Sequence, residues 1–498
     1  MKSLTVAIIL TILLCPPSLF QEELEVKENE EISSLSDENA QEIYTQQFLE
    51  ADFIIAYPRC SNPVIVEKGA RFTIMLENFS YSDVEVKLYT AYEPVVDEID
   101  LEVLSFSENS IVVRVPENTP EELYNLTVVG CLGCRQFPKT EPRAVSVVEK
   151  IDGNFTFVHI SDFHIGDIRG FKENIRETIG WKAAKKCVEE VNLLHPDFVV
   201  ITGDLVFGQL YPFEYSFEYR TLYEILQQFD VPTYLCPGNH DGYVQCGQDG
   251  FKFWQKYFGP LYYSFDYGKA HFIMANSYDW PKVNRRGISY VVFQWGGYIG
   301  EEQLKWIEED LKESNAKLKF IALHHNPLWN TTNDSLIRKI GYVGRKELLS
   351  LIEEYDVDGV LAGHVHYDNV TIHNDTIYIT TTTAASSLDK EDAYWGYRPI
   401  EIKNWSIYSY NYKEPEYSVP SYRLNITFED DDRAIIRNDL DMDVVAHLSF
   451  VLPSEYHGKY EVKNGVVIME RMNDELLQIY VVSTIDKKTE KEIYVELL

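Results

Sequence analysis

The chain has 498 residues, and 45% of them are hydrophobic, which is enough for one large core and one or two smaller ones. It carries 79 acidic and 45 basic residues, a formal net charge of -34. Because binding to a nucleic-acid backbone needs a surplus of Lys and Arg, this charge argues against nucleic acid as a stable partner. It disfavours an anionic membrane surface for the same reason.

The first residues predict export. The first three residues include a lysine, residues 4–14 are apolar, and Cys15 is followed by two prolines. This pattern is typical of a secretory signal peptide, here residues 1–20, because a membrane-spanning helix needs about 20 apolar residues. No other transmembrane anchor is predicted. Residues 21–50 are rich in Glu, Ser and Gln and are predicted to form an acidic linker.

Six further cysteines and nine Asn-x-Ser/Thr sequons are compatible with an exported chain. An even number of cysteines permits disulfides, although the pairing does not follow from the sequence. Cys131 and Cys134 are expected to form a local bridge or a bridge to Cys60, and Cys236 and Cys246 could staple the loop between them. The protein is therefore expected to be a secreted or cell-surface glycoprotein.

Residues 51–150 are predicted to form a β-sandwich domain of the immunoglobulin-like kind. Apolar runs such as residues 72–76, 84–89 and 111–115 are short and are separated by turn residues. Alternating apolar runs near the end of the chain predict a second β-rich domain, residues 416–498. These two β-domains could make cell-surface or glycan contacts.

Between them, residues 151–415 alternate between strand patterns and helical patterns. Apolar strands that are joined by amphipathic helices predict an α/β domain with covered sheets, whose functional residues gather at the carboxyl ends of the strands. Strands are predicted at residues 155–160, 198–202, 233–236, 270–275, 318–323, 359–362 and 377–381. Helices are predicted at residues 181–192, 219–229, 301–312 and 346–355.

Five short polar segments directly follow apolar strands of this domain, and they contain half of the twelve histidines. Two side chains that are two residues apart can point to the same side of an extended backbone and reach one metal ion. Mixed imidazole and oxygen ligands suit Mn, Fe, Zn or Ni. The segments are Ser161-Asp162-Phe163-His164, Gly203-Asp204, Gly238-Asn239-His240-Asp241, His324-His325-Asn326-Pro327 and Gly363-His364-Val365-His366.

In this order, the five segments resemble the signature of the calcineurin-like metallophosphoesterase superfamily, over about residues 155–383. The resemblance implies a four-layer α/β/β/α sandwich with a dinuclear metal centre between the sheets, flanked here by the N-terminal β-sandwich and the C-terminal β-rich module. The first ion would be held by Asp162, His164, Asp204 and His366. The second ion would be held by Asp204, Asn239, His325 and His364.

The choice of His325 over His324 rests on the family-like His-x-Pro spacing to Pro327. His324 would then be a neighbour that packs or hydrogen-bonds. The resemblance further implies that two cations about 3.5–4 Å apart activate a shared water, which attacks phosphorus as a metal-bridging hydroxide. His240 would be the general acid for the leaving oxygen, and Asp241 would orient its imidazole.

The expected substrate is a phosphodiester or a small phosphomonoester. Phe207 stands where purple acid phosphatases have a tyrosinate ligand, so their chromophore is not expected. Asp241 stands where purple phosphatases and typical 5′-nucleotidases have Glu, which favours the phosphodiesterase-like branches. The alternative is a non-catalytic cell-surface metal-containing binding protein that uses its β-sandwich modules.

Overall fold

The computed structural model describes residues 53–498 except for residues 93, 134, 168–178, 210–212, 246, 287–295, 330–340, 389 and 414–416. The predicted signal peptide and acidic linker, and with them Cys134, Cys246 and the sequons at Asn330 and Asn333, lie outside the described residues. Within the described part of the chain, no helix is long and apolar enough to cross a bilayer. Among the described cysteines, Cys60, Cys131, Cys187 and Cys236 form no disulfide with one another.

Nine strands form the first part of the described chain. They make a four-stranded sheet in the order β1-β3-β7-β6 and a five-stranded sheet in the order β2-β9-β8-β4-β5. Alternate side chains of both sheets share one apolar core, which includes Ile74, Leu88 and Val113. The strands are β1 (Ile54–Tyr57), β2 (Val64–Glu67), β3 (Arg71–Glu77), β4 (Asp83–Thr90), β5 (Glu98–Asp100), β6 (Glu102–Phe106), β7 (Ser110–Arg114), β8 (Glu122–Leu132) and β9 (Arg135–Val148).

In the described part of the middle of the chain, five α-helices and fourteen strands are present. The helices are α1 (Ile179–Leu194), α2 (Glu214–Leu226), α3 (Gly250–Phe258), α4 (Glu301–Glu313) and α5 (Arg345–Glu354). The strands are β10 (Phe155–Ile160), β11 (Phe198–Thr202), β12 (Thr233–Cys236), β13 (Val244–Gln245), β14 (Gln248–Asp249), β15 (Tyr263–Tyr267), β16 (Ala270–Met274), β17 (Leu318–Ala322), β18 (Gly359–Ala362), β19 (Asn369–His373), β20 (Thr376–Thr380), β21 (Gly396–Lys403), β22 (Ser406–Ser409) and β23 (Val419–Pro420).

These strands form two six-stranded mixed sheets and the small β13-β14 hairpin. The first large sheet has the order β12-β11-β10-β21-β22, with β23 paired to β21, and the second has the order β15-β16-β17-β18-β20-β19. In the first sheet β10, β11 and β12 are parallel. In the second sheet β16, β17, β18 and β20 are parallel. The carboxyl ends of the parallel strands therefore lie together at one edge of each sheet.

An aromatic core lies between the two sheets. The ring of Phe157 stacks on Phe198 at 5.3 Å between centroids, and it meets the edges of Phe272 and Phe320 at 5.4 Å each. Strand residues that alternate with these side chains face outward. On the first sheet they pack with α1 and α2, and on the second sheet with α4 and α5. This packing gives each strand two buried faces, which explains the continuous apolar runs in the sequence.

The predicted strands and helices of this region are confirmed, with end points within one or two residues for most of them. Helix α2 begins five residues before its predicted start at residue 219 and ends three residues before its predicted end at residue 229. Strand β21 was not predicted from the sequence; it inserts antiparallel beside β10 in the centre of the first sheet. Helix α3, which is short and rich in aromatic residues, was not predicted either.

Seven strands follow, in a sheet of order β24-β25-β30-β27 and a sheet of order β26-β29-β28. Their core is continuous with α1 and α2, so this region packs directly on the helices of the middle region. Arg471 also reaches the first β region, where it donates to Thr90 Oγ1 and pairs with Glu122. The strands are β24 (Leu424–Asp430), β25 (Arg433–Asn438), β26 (Val444–Pro453), β27 (Tyr460–Lys463), β28 (Val466–Met472), β29 (Leu476–Ile485) and β30 (Thr489–Leu497).

A buried histidine ties the edge of the second sheet to helix α4. His271 of β16 lies 2.7 Å from Asp266 Oδ1 through Nδ1 and 2.8 Å from Asp310 Oδ2 through Nε2. Burial alone would lower the pKa of His271, but the two carboxylates outweigh it and raise this pKa to about 9. The unfolded histidine titrates near pH 6.5. The stabilisation is therefore complete below about pH 6.5 and is lost as the pH rises through about 9.

Replacing His271 by Gln is expected to lower the free energy of unfolding by about 1 kcal/mol near pH 6, a modest value because Asp266 is largely exposed to solvent. Near pH 10 His271 is neutral and its ion pairs are lost, so the decrease should be much smaller. Urea unfolding at the two pH values measures the difference. His457→Gln is the matched control, since His457 forms only an exposed pair with Glu470. An equal loss at both pH values would contradict a charged His271.

Candidate metal centre

The five polar segments meet where the parallel strands of the two sheets end. The loops after β10, β11 and β12 come from the first sheet, and the loops after β17 and β18 come from the second. Every side chain predicted to bind a metal is at least nine-tenths buried there. The fold thus brings together six of the predicted ligands: Asp162, His164, Asp204, His325, His364 and His366. Asn239 directly precedes His240, whose backbone N–H donates to Asp204.

The backbone at these loops is strained in a regular way. Five of the predicted ligands have a positive φ, between 46° for His164 and 76° for His364. The other three are Asp162, Asp204 and His366. Non-glycine residues adopt this left-handed region at a cost of about 1–3 kcal/mol each and do so mainly where the surrounding structure holds them. The strands β10, β11 and β18 therefore each end in a left-handed turn that carries predicted ligands.

Two glycines of the motifs allow the loops to approach the carboxylates. A Cβ atom on Gly238 would lie 2.2 Å from Asp204 Oδ1, and one on Gly363 would lie 2.5 Å from Asp162 Oδ2. Both distances are far shorter than a van der Waals contact. Glycine at these positions is therefore a requirement of the packing around the two carboxylates.

Asp162, His164 and His366 form the first group of possible ligands, with donor atoms within 4.8 Å of one another. Asp162 Oδ1 lies 3.2 Å from His366 Nε2 and 3.4 Å from His164 Nε2. His366 Nδ1 lies 2.6 Å from the carbonyl oxygen of Ser387, to which it must donate. Nδ1 therefore carries the proton, and Nε2 is left to face the site with its lone pair.

Asp204 lies at the centre of the arrangement. Its Oδ1 accepts the backbone N–H of His240 at 2.8 Å, and its Oδ2 lies 3.1 Å from His324 Nε2 and 3.5 Å from His164 Nε2. Burial alone would raise the pKa of Asp204, but the imidazoles of His324, His240 and His164 hold it well below its usual range. The carboxylate is therefore charged at neutral pH, as a metal ligand must be.

His325 and His364 form the second group together with His324. The rings of His325 and His364 are 4.4 Å apart between centroids. Burial and the neighbouring imidazoles of His325 and His324 lower the pKa of His364 well below its usual value. This ring is thus neutral, which is the form of histidine that binds metals.

Ser277 holds His325, although no feature of the sequence singled it out. Its hydroxyl accepts the backbone N–H groups of His324 and His325 at 3.1 and 2.9 Å and lies 2.9 Å from His325 Nδ1. Ser277 follows β16, and the preceding Asn276 is fixed by two hydrogen bonds with Gln303 of α4. Helix α4 therefore positions the His325 imidazole through one buried serine.

His324 contacts both Asp204 and His364. Its Nδ1 donates to the carbonyl of Thr202 at 2.7 Å, and its Nε2 also lies 3.2 Å from His364 Nδ1. Burial would lower the pKa of His324, but Asp204 raises it to about 9. A cation bound to Asp204 would compete with this proton. The predicted hydrogen-bonding role fits these contacts, and the side chain joins the two groups of donors.

Asn239 presents an oxygen to the site. Its Nδ2 donates to Tyr243 Oη at 2.5 Å, which fixes the amide, and its buried Oδ1 has no hydrogen-bond partner within the described residues. A buried carbonyl oxygen without a partner is costly, and a bound cation would satisfy it. The donor atoms therefore fit a centre of imidazole and oxygen ligands.

His240 stands at one end of the centre. Its Nδ1 donates to the carbonyl oxygen of Phe207 at 2.5 Å, and its ring stacks on the Phe207 ring at 5.2 Å between centroids. Its Nε2 therefore faces the interior, 3.9 Å from Asp204 Oδ2. Phe207 lacks the ligand atom of a tyrosine, and here it orients His240 with both its ring and its backbone.

Asp241 does not orient the imidazole of His240, which corrects the role predicted from the sequence. Its Oδ1 accepts the backbone N–H groups of Leu205 and Val206, and its Oδ2 accepts that of Gly238. Burial and the charge of Asp204 raise the pKa of Asp241 to about 7. Asp241 is thus a positioning residue that joins the loop after Asp204 to the loop that carries Asn239.

Residues 155–368 match the family model of the calcineurin-like phosphoesterases, and this span contains every predicted metal ligand. The matched region belongs to that family. Phosphoesterases hydrolyse phosphoester bonds, and this family typically uses a dinuclear metal centre. The flanking β regions and the strands β19 to β23 lie outside the matched residues.

Curated relatives of this phosphoesterase domain are identical to it at between a quarter and a third of the aligned residues. The chain is 27% identical over 233 residues to "Probable glycerophosphodiester phosphodiesterase GpdQ" of Arcobacter nitrofigilis, covering 45% of this chain and 77% of that protein. It is 28% identical to the 3',5'-cyclic-nucleotide phosphodiesterase alr5338 of Nostoc sp., covering 43% of this chain and 72% of that protein. It is 29% identical to purple acid phosphatase 23 of Arabidopsis thaliana, covering 36% of this chain and 44% of that protein.

His325→Ala is expected to remove one of two bound ions, since this imidazole belongs to only one group of donors. His324→Gln should keep both ions and lower the affinity for the more weakly held one by about 10–100-fold, the usual effect of losing a residue that supports a ligand. Metal analysis after dialysis and Mn²⁺ titration calorimetry measure both effects. Loss of an ion from His324→Gln but not from His325→Ala would reverse the assignment.

Proposed function

We propose that this protein is an exported, metal-dependent phosphoesterase that hydrolyses phosphodiesters or small phosphomonoesters. The observation that carries this proposal is the pair of donor groups at facing strand ends, joined through the buried Asp204. In this proposal the first ion is held by Asp162, His164, Asp204 and His366, and the second by Asp204, Asn239, His325 and His364. The domain would be a four-layer α/β/β/α sandwich between an N-terminal β-sandwich and a C-terminal β-rich module.

Two bound transition-metal ions, such as Mn, Fe, Zn or Ni, would supply activation of water and neutralisation of the phosphate charge. The chain contributes the positions of the ligands and the acid. His240 is the group best placed to protonate a leaving oxygen, because its Nδ1–H is held by Phe207 and its Nε2 faces the centre. Asp241 and Ser277 keep the ligand loops in register.

Export is part of the proposal and is supported by the sequence alone. The basic start, the short apolar run and the sequons agree with a secreted or cell-surface glycoprotein. The net charge of -34 would repel highly charged substrates in bulk, which favours small esters over polynucleotides. The named phosphodiesterases among the relatives are consistent with a diester substrate.

Hydrolysis of bis-p-nitrophenyl phosphate and p-nitrophenyl phosphate by the purified chain tests the function. We expect Mn²⁺-dependent release of p-nitrophenol that is abolished by a chelator and restored by added metal, because both donor groups need cations to bind the phosphate. Asp204→Asn is the matched variant and should lose activity by more than about a thousandfold. Metal binding without release from either ester would favour the non-catalytic binding protein.

His240→Gln tests the proton donor. An alkoxide leaving group needs a proton in the transition state, so kcat for an alkyl ester should fall by about 10²–10⁴-fold. A p-nitrophenolate leaving group needs little assistance, so the loss on p-nitrophenyl esters should be much smaller. Equal losses on both kinds of ester, at unchanged metal content, would show that His240 only supports the loop.

A further inference from the structure

Two histidines of the centre pack against His164. The rings of His240 and His366 lie 4.5 and 5.0 Å from the His164 ring between centroids. The ring of Phe207 lies 5.2 Å from His240 and 6.0 Å from His164. His164 is therefore the common neighbour of His240 and of His366, and Tyr367 directly follows His366 in the chain.

Aromatic side chains from two loops that carry predicted ligands contact each other. Tyr367 directly follows His366, and Trp329 lies four residues after His325. Their rings are 6.4 Å apart between centroids and tilted by 33°. Both side chains are half-buried, so part of each remains exposed to solvent.

A lysine from a third loop contacts the Tyr367 ring of this pair. The ammonium of Lys390 lies 3.5 Å from the centroid of the Tyr367 ring, a cation–π contact. Lys390 lies three residues after Ser387, whose carbonyl accepts from His366 Nδ1. The loops after β17, β18 and β20 thus converge on one aromatic surface, which consists of Trp329 and Tyr367 with Lys390 at its rim.

We propose that this aromatic surface binds the retained substituent of a phosphodiester, preferably a planar ring. The inference rests on the proposed function, in which His240 protonates the leaving oxygen. The leaving group must then lie beside His240. A phosphomonoester has only one carbon substituent, which is the leaving group, so it has no group left for the Trp329–Tyr367 surface. A diester has a second substituent, which this surface on the loops of His325 and His366 would bind.

The reaction balances with water alone. Water adds its oxygen to phosphorus and gives up one proton to solvent, the P–O bond to the leaving alcohol breaks, and that oxygen takes a proton from His240. Solvent then returns a proton to His240. The bond between phosphorus and the retained oxygen stays intact. The products are one alcohol and one phosphomonoester, which still carries the ring bound by Trp329. A flat ring gains stacking on Trp329 that a methyl group cannot gain.

Three substrates with the same p-nitrophenolate leaving group isolate this surface: phenyl p-nitrophenyl phosphate, methyl p-nitrophenyl phosphate and p-nitrophenyl phosphate. For Trp329→Ala we expect kcat/KM on the phenyl diester to fall by about tenfold, mainly through KM, with changes within about twofold on the other two. Tyr367→Ala should act in the same direction. Trp329→Phe should restore most of the preference for the phenyl diester.

Tyr408→Ala is the matched control, because Lys403 lies over the exposed Tyr408 ring at the same 3.5 Å on β22. It should leave all three rates unchanged. An equal loss on all three substrates in Trp329→Ala, or an unchanged phenyl-to-methyl ratio, would overturn the proposed subsite. Failure of the unaltered enzyme to release p-nitrophenol from any substrate with Mn²⁺ would instead overturn the proposed phosphoesterase function.

Discussion

The site depends on the burial of two carboxylates, Asp162 and Asp204, between the facing sheets. A buried carboxylate is unfavourable unless positive charge and hydrogen bonds compensate it. The chain supplies imidazoles and backbone N–H groups at 2.8–3.5 Å from Asp204, yet it leaves the buried Oδ1 of Asn239 without a partner in the described structure. Two bound cations would complete this compensation, which is why the same residues fit both folding and catalysis.

The backbone is organised around this requirement. The strand ends turn through left-handed conformations at the ligands, and Gly238 and Gly363 leave room for the carboxylates. Such strain persists only in a rigid frame. The aromatic core between the sheets and the helices on their outer faces provide that frame. The flanking β regions add to it, since Arg143 donates to the carbonyl of Val231 and Arg471 joins the first and last β regions.

Phe207 and the pair of Trp329 and Tyr367 connect the structure to substrate choice. Phe207 holds His240 through its ring and its carbonyl oxygen, and Trp329 and Tyr367 contact each other on loops that carry predicted ligands. A purple acid phosphatase would use the position of Phe207 for a metal ligand. Here the same position orients His240, the proposed proton donor, and the aromatic pair is the proposed surface for the retained group of a diester.

The sequence by itself determined seven strands of the phosphoesterase domain and the set of polar segments that follow five of them. It did so because apolar runs and Asp-x-His, Gly-Asp, Gly-Asn-His-Asp and Gly-His-x-His segments are local patterns.

Only the tertiary structure decided the partners of each side chain. The residues that hold the histidines come from other strands or loops than the histidines themselves, as Ser277, Thr202 and Phe207 show. Likewise, β21 pairs with β10 although more than 200 residues separate the two strands along the chain. Asp241 adjoins His240 in sequence but faces the backbone of Leu205, because the direction of a side chain in a turn depends on the contacts around it. Local patterns set which groups are present, whereas long-range packing sets which groups touch.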